Sequence, residues 1–334
     1  MQITILVTDV QLAVRIGVIG LRNHAERLKI ILEGRDDCQV CFLYHPSKKI
    51  DDIRSTNDIS DIYEMDAVFI TSPNDTHVKY IELLLKNSNA YIFCEKPPAT
   101  NEIELKILQD MTDNDKKRIF FNFNFRFSQL NEIIETQLAT NEIGKIINIV
   151  IIASQGLAFK DNYVGSWRAD GEKNLHNIIE TVSIHYLDLL NFHFIIKEII
   201  YRPSLVSGKG TSFDTSHLFI TYQNGVTATI FNSYATPYVN EVFIIGTNGY
   251  CLLENDNLQI RYPRDTFDSK GFFITPSKSV NCEFNMKKNY EQSLKNSIDY
   301  FVRCIKNKTN IDIKYYDISI KTNQQILDLK KNHN

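Results

Sequence analysis

The chain has no apolar run that approaches the roughly 20 residues needed to cross a bilayer. A membrane is therefore not an expected partner. Nor is there a basic surplus: 37 lysines and arginines are set against 40 aspartates and glutamates, a net charge of −3. Without a basic face there is little drive toward a phosphate backbone, so nucleic acid is not expected either. Met1–Ala13 carries no basic leader and includes Asp9. It makes a poor signal peptide, which points to the cytoplasm, and it reads as an extension ahead of the first core strand. Cysteines are few and scattered, at 38, 41, 94, 251, 282 and 304. Cys38 and Cys41 form a lone C-x-x-C with no second pair and no histidine pair at zinc spacing, so no metal is expected. Their odd separation in a strand places them on opposite faces, as buried thiols of a reducing compartment. Repeats and low-complexity segments are also missing.

What is present is ordinary for a soluble globular protein: 43% hydrophobic and 23% charged residues over 334 positions, a length that favours two domains. The first third alternates short apolar runs with helical spacing. Strands are expected at Val14–Ile19, Gln39–Tyr44, Ala67–Ile70, Ala90–Phe93 and Arg118–Asn122. Helices are expected at Asn23–Glu33, Thr76–Asn87 and Glu102–Met111. Such β-α alternation predicts a doubly wound parallel sheet over residues 14–125.

After about residue 125 the pattern changes. A helix at Leu130–Leu138 and a strand at Ile146–Ser154 lead to a helix at Ile178–Phe192. Strands follow at Ile196–Arg202, His217–Tyr222, Val226–Tyr234, Val239–Ile245 and Tyr250–Glu254, with Asn-Gly turns at 224–225 and 248–249. Amphipathic helices at Tyr290–Lys306 and Asp317–Lys330 end the chain. Residues 126–334 thus read as an α+β domain with a large, mainly antiparallel open sheet.

The most telling stretch is Glu95-Lys96-Pro97. A lysine between a carboxylate and a proline, at the end of a short strand, presents an amine at the carboxyl edge of a parallel sheet, where open α/β folds bind ligands. Upstream, Gly20, Arg22 and Ala25 occupy the places of a dinucleotide fingerprint between the first strand and the first helix, with Asn23 and His24 in the same turn. The second glycine is missing. Arg22 stands there and is able to pair with a pyrophosphate bidentately; a cofactor held slightly further from the turn, loss of dinucleotide binding, and an ordinary strand–helix turn are the other readings. The second strand ends at His45, followed by Ser47, Lys48 and Lys49. A site selective for NAD places an acid at this point. Its absence, together with the two cations, favours NADP(H) over NAD(H), against the plain reading of a solvated loop.

These residues give the chain a resemblance to the Gfo/Idh/MocA family of oxidoreductases, from about Val14 to Leu329. The motifs that carry it are Asp66–Ile70 with Thr71-Ser72-Pro73-Asn74 and His77, Glu95-Lys96-Pro97, Asn124-Phe125-Arg126-Phe127, Trp167-Arg168, His185-x-x-Asp188 and Gly246-Thr-Asn-Gly249. The resemblance implies a Rossmann domain followed by a domain whose open sheet pairs subunits, as a homodimer or homotetramer. It implies that Lys96 contacts the nicotinamide ribose and the substrate hydroxyl, that Glu95 supports it, and that His185 accepts the alcohol proton across the domain junction. Thr71, Ser72, Pro73, Asn74, His77 and Asn124 would line the cofactor.

Asp188 would orient His185 or pair locally. Arg126 and Arg168 are candidates for an anionic group of the substrate or for ion pairs, and Trp167 for stacking or for core. Thr181 stands where many members carry an aspartate, one turn before His185; it can bond substrate but is no base. The expected activity is hydride transfer between a nicotinamide and a secondary alcohol of a sugar or nucleotide sugar. A non-sugar ligand such as a cyclitol or tetrapyrrole, or a homologue without turnover, remains open.

Overall fold

Val14–Ile19, Ala67–Ile70 and Tyr91–Cys94 are nearly unbroken apolar runs. Strands of this kind are stable only with both faces covered, in the middle of a parallel sheet. They occupy that place in the computed structural model, which describes residues 13–21, 23–48, 50–254, 256–264 and 266–333, without the side chains of Asn23 and Met286. All of the expected N-terminal extension except Ala13 lies outside the described residues, and so does Arg22.

The first unit contains six parallel strands: β1 (Val14–Ile19), β2 (Cys38–Tyr44), β3 (Ser55–Thr56), β4 (Ala67–Ile70), β5 (Tyr91–Cys94) and β6 (Ile119–Phe121), in the order β3-β2-β1-β4-β5-β6. Helices α1 (Asn23–Glu33), α2 (His77–Asn87), α3 (Glu102–Gln109) and α4 (Asp113–Lys116) connect them. Ala25, Leu28 and Leu32 form the buried stripe of α1. The side chains of Asn101 and Thr112 accept from backbone N–H groups of the helices they precede, which sets where α3 and α4 begin. Strand order reverses between β1 and β4, and that reversal is where a doubly wound sheet opens a ligand crevice. Cys38 and Cys41, expected in the core, are only half-buried, because β2 is covered on one side by a single short neighbour, β3.

The second unit continues with α5 (Gln129–Thr140), β7 (Ile146–Ser154), α6 (Gly171–Asn174) and α7 (Ile184–His193). Strands β8 (Ile196–Ser204), β9 (Thr215–Tyr222), β10 (Thr227–Ser233), β11 (Val239–Gly246), β12 (Tyr250–Glu254), β13 (Asn257–Arg261) and β14 (Lys278–Glu283) follow. The eight strands run in the order β14-β13-β12-β11-β7-β10-β9-β8, and only the β7–β10 pair is parallel. β13 and β14 were not expected from the sequence, being short and largely polar. One face buries Ile149, Ile151, Leu218, Ile230, Val242, Ile244 and Leu253. The other carries a continuous row across the register: Ile200, Phe219, Thr229, Val150, Phe243 and Leu252. Ile200 and Phe219 in that row are 40% and 42% exposed.

The expected continuous helix at Ile178–Phe192 is instead a π-helical turn, Ile179–Ser183, leading into α7. Such turns concentrate at functional sites.

Two long helices close the chain, α8 (Met286–Lys306) and α9 (Ile313–Lys331). One boundary was expected, at residue 125, and the compact units divide the chain near it and again within the last two helices. The first unit ends at Asn122 and takes back Ile298–Asp317, while the second comprises Phe123–Ser297 and Ile318–Asn334. The physical reason is aromatic. Phe301 of α8 packs against Phe69, Phe93 and Phe120, with ring centroids 5.6, 5.4 and 6.1 Å away. Asp299 pairs with Arg35, Lys306 with Asp37, and the Tyr316 hydroxyl donates to the Leu108 carbonyl at 2.7 Å.

Candidate active site

At the reversal point the chain leaves β1 through Gly20, whose φ is +84°. A Cβ here would lie 2.8 Å from both N and Cα of Ser72, so the loops after β1 and β4 touch backbone to backbone and only glycine fits. Thr71 fastens the contact, its hydroxyl lying 2.9 Å from the Ile19 carbonyl and 2.6 Å from that of Gly20. Ser72 accepts from the Thr76 hydroxyl at 2.7 Å, and Pro73 leads into a 3-10 turn at Asn74–Thr76. Ala25, the third fingerprint position, is buried against the sheet, as close helix–strand packing requires.

Glu95-Lys96-Pro97 follows β5 directly. The Glu95 carboxylate is almost buried. Its Oε1 lies 3.0 Å from His24 Nε2 and accepts from Asn122 Nδ2 at 2.7 Å. Burial alone would push this carboxyl up. The His24 charge, the hydrogen bonds from His24 and Asn122, and the Lys96 charge together hold it below the ordinary range. His24 is raised in turn, first by the Glu95 charge and against its own burial. The turn after β1 and the Glu-Lys-Pro stretch are thus joined by one hydrogen bond to a carboxylate. Asn122 was not singled out from the sequence, although its place at the carboxyl end of β6 was a usable signal. Lys96 is half-buried, and its peptide bond to Pro97 is cis.

His77 is fully buried, which the sequence did not indicate. Nδ1 faces the Pro97 carbonyl at 2.9 Å and Nε2 the Ser72 carbonyl at 3.1 Å. It ties the loop after β4 to the loop after β5. Burial lowers its pKa, against the pull of the two carbonyls.

At the end of β2, His45 Nδ1 accepts from the backbone N–H groups of Ser47 and Lys48 at 3.2 and 2.9 Å. With Nδ1 an acceptor, the neutral ring carries its proton on Nε2, so the side chain offers a donor where an aspartate would offer an acceptor. Ser47 and Lys48 are exposed beside it.

In the second unit, Asn124 is buried, with Nδ2 donating to Ser293 Oγ at 2.7 Å. Arg126 and Asp188, for which an ion pair and local pairing were among the expected roles, meet each other. They form a buried bidentate pair with each other, Nε to Oδ2 at 2.7 Å and Nη2 to Oδ1 at 2.5 Å. Ser319 and Thr322 of α9 add hydrogen bonds to the pair. His185, at the start of α7, is half-buried and stacked on Phe125 at 4.8 Å. Thr181 lies in the π turn. Its hydroxyl is 2.8 Å from the Asn177 carbonyl and 2.6 Å from the Tyr234 hydroxyl, a partner missed from the sequence. Glu180, next to Thr181, is buried and held by Asn174 and by Lys330 of α9. Trp167 is 44% exposed, with the Arg168 guanidinium 4.4 Å above its ring. Among the described residues no cluster of His, Cys, Asp or Glu suits a metal.

Residues 14–123 match the family model for the oxidoreductase family with an NAD-binding Rossmann fold (GFO_IDH_MocA), and residues 131–251 match the GFO/IDH/MocA C-terminal domain. The chain belongs to the Gfo/Idh/MocA oxidoreductase family, and its first domain is of that NAD-binding kind. Among curated relatives, it is 25% identical over 130 residues to glucose-6-phosphate 3-dehydrogenase of Bacillus subtilis, a match that covers 39% of this chain and 37% of that protein. It is 24% identical over 260 residues to myo-inositol 2-dehydrogenase of Thermotoga maritima, covering 72% and 75%. Among solved structures, an oxidoreductase from Agrobacterium radiobacter in complex with NAD+, L-tartaric acid and magnesium shares the fold, with a TM-score of 0.76, 17% identity and coverage of 96% and 97%.

Proposed function

We propose that this protein is an NAD(P)-dependent oxidoreductase that interconverts a secondary alcohol and a ketone on a sugar or nucleotide sugar. The observation that carries the reading is the His24–Glu95 bond, which joins the turn after β1 to the Glu-Lys-Pro stretch at the reversal point of an NAD-binding sheet.

The residues of the first unit suit a dinucleotide. The N–H groups at the start of the 11-residue α1 suit a pyrophosphate. Thr71, Ser72, Pro73 and Asn74 would border the nicotinamide. When bound, the nicotinamide supplies or accepts the hydride. At the far end of β2, the His45 Nε2–H, Ser47 and the Lys48 cation are donors, which supports a 2′-phosphate over a bare ribose and therefore NADP(H).

Lys96 is assigned to hold the alcohol oxygen, with its charge balanced by Glu95, and His185 to accept the alcohol proton or return it. Glu95 is fixed by His24 and Asn122, so its part is to position Lys96. The apolar row through Phe219, Val150 and Phe243 supports pairing of two copies through the open face of the second sheet.

The test is protein-bound NADH and NADPH fluorescence followed by turnover on a panel of nucleotide sugars. Binding of either cofactor, tighter for NADPH, is expected, together with turnover of at least one sugar. If neither cofactor binds at millimolar concentration, the enzyme reading fails.

A further inference from the structure

The loop that leads from β7 into the π turn holds a set of hydrogen-bond donors that the reading above does not use. Tyr163 is 1% exposed, and among the described residues its hydroxyl has no hydrogen-bond partner. Asn177 is fully buried, and its Nδ2 likewise has none. Leaving a buried donor unpaired costs about 1–3 kcal/mol. Folded proteins keep such groups where something other than the chain itself completes them.

The two belong to one neighbourhood. The Tyr163 and Tyr234 rings meet edge to face, centroids 6.2 Å apart, in a small core with Ala158, Ala169 and Ile178. Thr181 bonds both the Asn177 carbonyl and the Tyr234 hydroxyl.

Arg168 brings the charge. Its guanidinium lies against Trp167 and acts on both Tyr163 and Tyr234. Among the described residues it belongs to no ion pair. The nearby cations Lys173 and Lys330 are committed to Asp170 and Glu180. The carboxylate closest in influence, Asp214, is occupied by donors of its own loop: the N–H groups of Val206 and Ser207 and the hydroxyls of Ser207 and Thr215. The result is a half-buried cation and several buried hydroxyl and amide donors in one neighbourhood, with a threonine rather than a carboxylate at position 181. That set of donors fits an acceptor-rich anion.

We infer that Tyr163, Arg168, Asn177 and the Thr181–Tyr234 pair form a subsite for an anionic group on the substrate, a phosphate or a carboxylate. Calling the ligand a substrate rests on the oxidoreductase reading; the anion specificity does not. Arg168 supplies a bidentate fork to two oxygens, and the Tyr163 hydroxyl and Asn177 amide supply the remaining donors.

The test is calorimetric titration of the full chain with glucose 6-phosphate, glucuronate and glucose, with NADH titrated separately. One of the two anions is expected to bind at least tenfold more tightly than glucose, and which one does so distinguishes phosphate from carboxylate. Arg168→Met is expected to erase that preference, by about 10- to 100-fold, while NADH affinity stays unchanged. Tyr163→Phe keeps the folded state intact by removing an unpaired polar atom, and it is expected to weaken the anion alone. Equal affinity for glucose and both anions overturns the subsite. So does a preference that survives in both variants, which would place the anion elsewhere or leave Tyr163 bonded to solvent. Anion preference without NADH binding would leave the subsite standing and remove the oxidoreductase reading.

Discussion

His24 and Glu95 meet at 3.0 Å, one residue from the helix that begins the first βα unit and the other from the strand end that carries Lys96. Nothing between them in sequence announces the bond. It makes the geometry of the Glu-Lys-Pro stretch depend on the protonation of a histidine in the turn after β1.

Stability should follow that protonation. His24 is raised above its ordinary 6.5 by Glu95, so its contribution is full below about pH 6.5 and is lost as pH rises through its higher folded value. Glu95 is held below 4.5, so its contribution is present above that pH and is lost as pH falls through its folded value. The pair is therefore worth most between these limits. Thermal melts of the natural chain and of His24→Gln should differ most near about pH 6 and converge above His24's folded value. A difference that stays constant across that range would mean the pair is not an ion pair.

Gly20→Ala should cost about 1–3 kcal/mol, because alanine at φ +84° is strained and its Cβ would press on Ser72. Urea unfolding measures this. NADH affinity should fall with it, since the same contact shapes the turn. An unchanged midpoint would show that the loops after β1 and β4 part easily.

Removing one member of the Arg126–Asp188 pair leaves a buried charge. Asp188→Asn should destabilise by about 3–5 kcal/mol, whereas Arg126→Met with Asp188→Leu should cost much less than the sum of the single changes. A double-mutant cycle by chemical denaturation reads the coupling. Additive losses would contradict the pairing.

Lys96→Met should lower turnover by about 10²- to 10⁴-fold, the usual loss when a group that handles a proton is removed. NADH fluorescence should change far less. Turnover close to that of the natural chain would strip Lys96 of its assigned role.

Much of this was legible from the residues. The strands β1, β4 and β5 announce themselves as apolar runs between turn signals, and Gly20 and Glu95-Lys96-Pro97 mark the reversal point before any coordinate is seen. What stayed hidden depends on tertiary pairing. Arg126 left anion receptor and ion pair both open, because a sequence cannot show that Asp188, far along the chain, would come to face it. The burial of His77 was not readable because it follows from the loops above it. The π turn at Ile179–Ser183 has the same apolar spacing as an α-helix. The amphipathic pattern of α8 says that one stripe is buried, but not that Phe301 seeks the first sheet.

That last packing sets a timetable. A nascent chain has all the strands of its first unit outside the ribosome long before residue 301 is translated, yet Phe69, Phe93 and Phe120 share their cover with Phe301. During synthesis these rings lack a partner that lies far beyond them in the chain, and closing so long a loop is slow. The first unit is thus completed only after most of the second has been made. A stop codon just before residue 298 would strike the cofactor-binding half as well as the half it truncates.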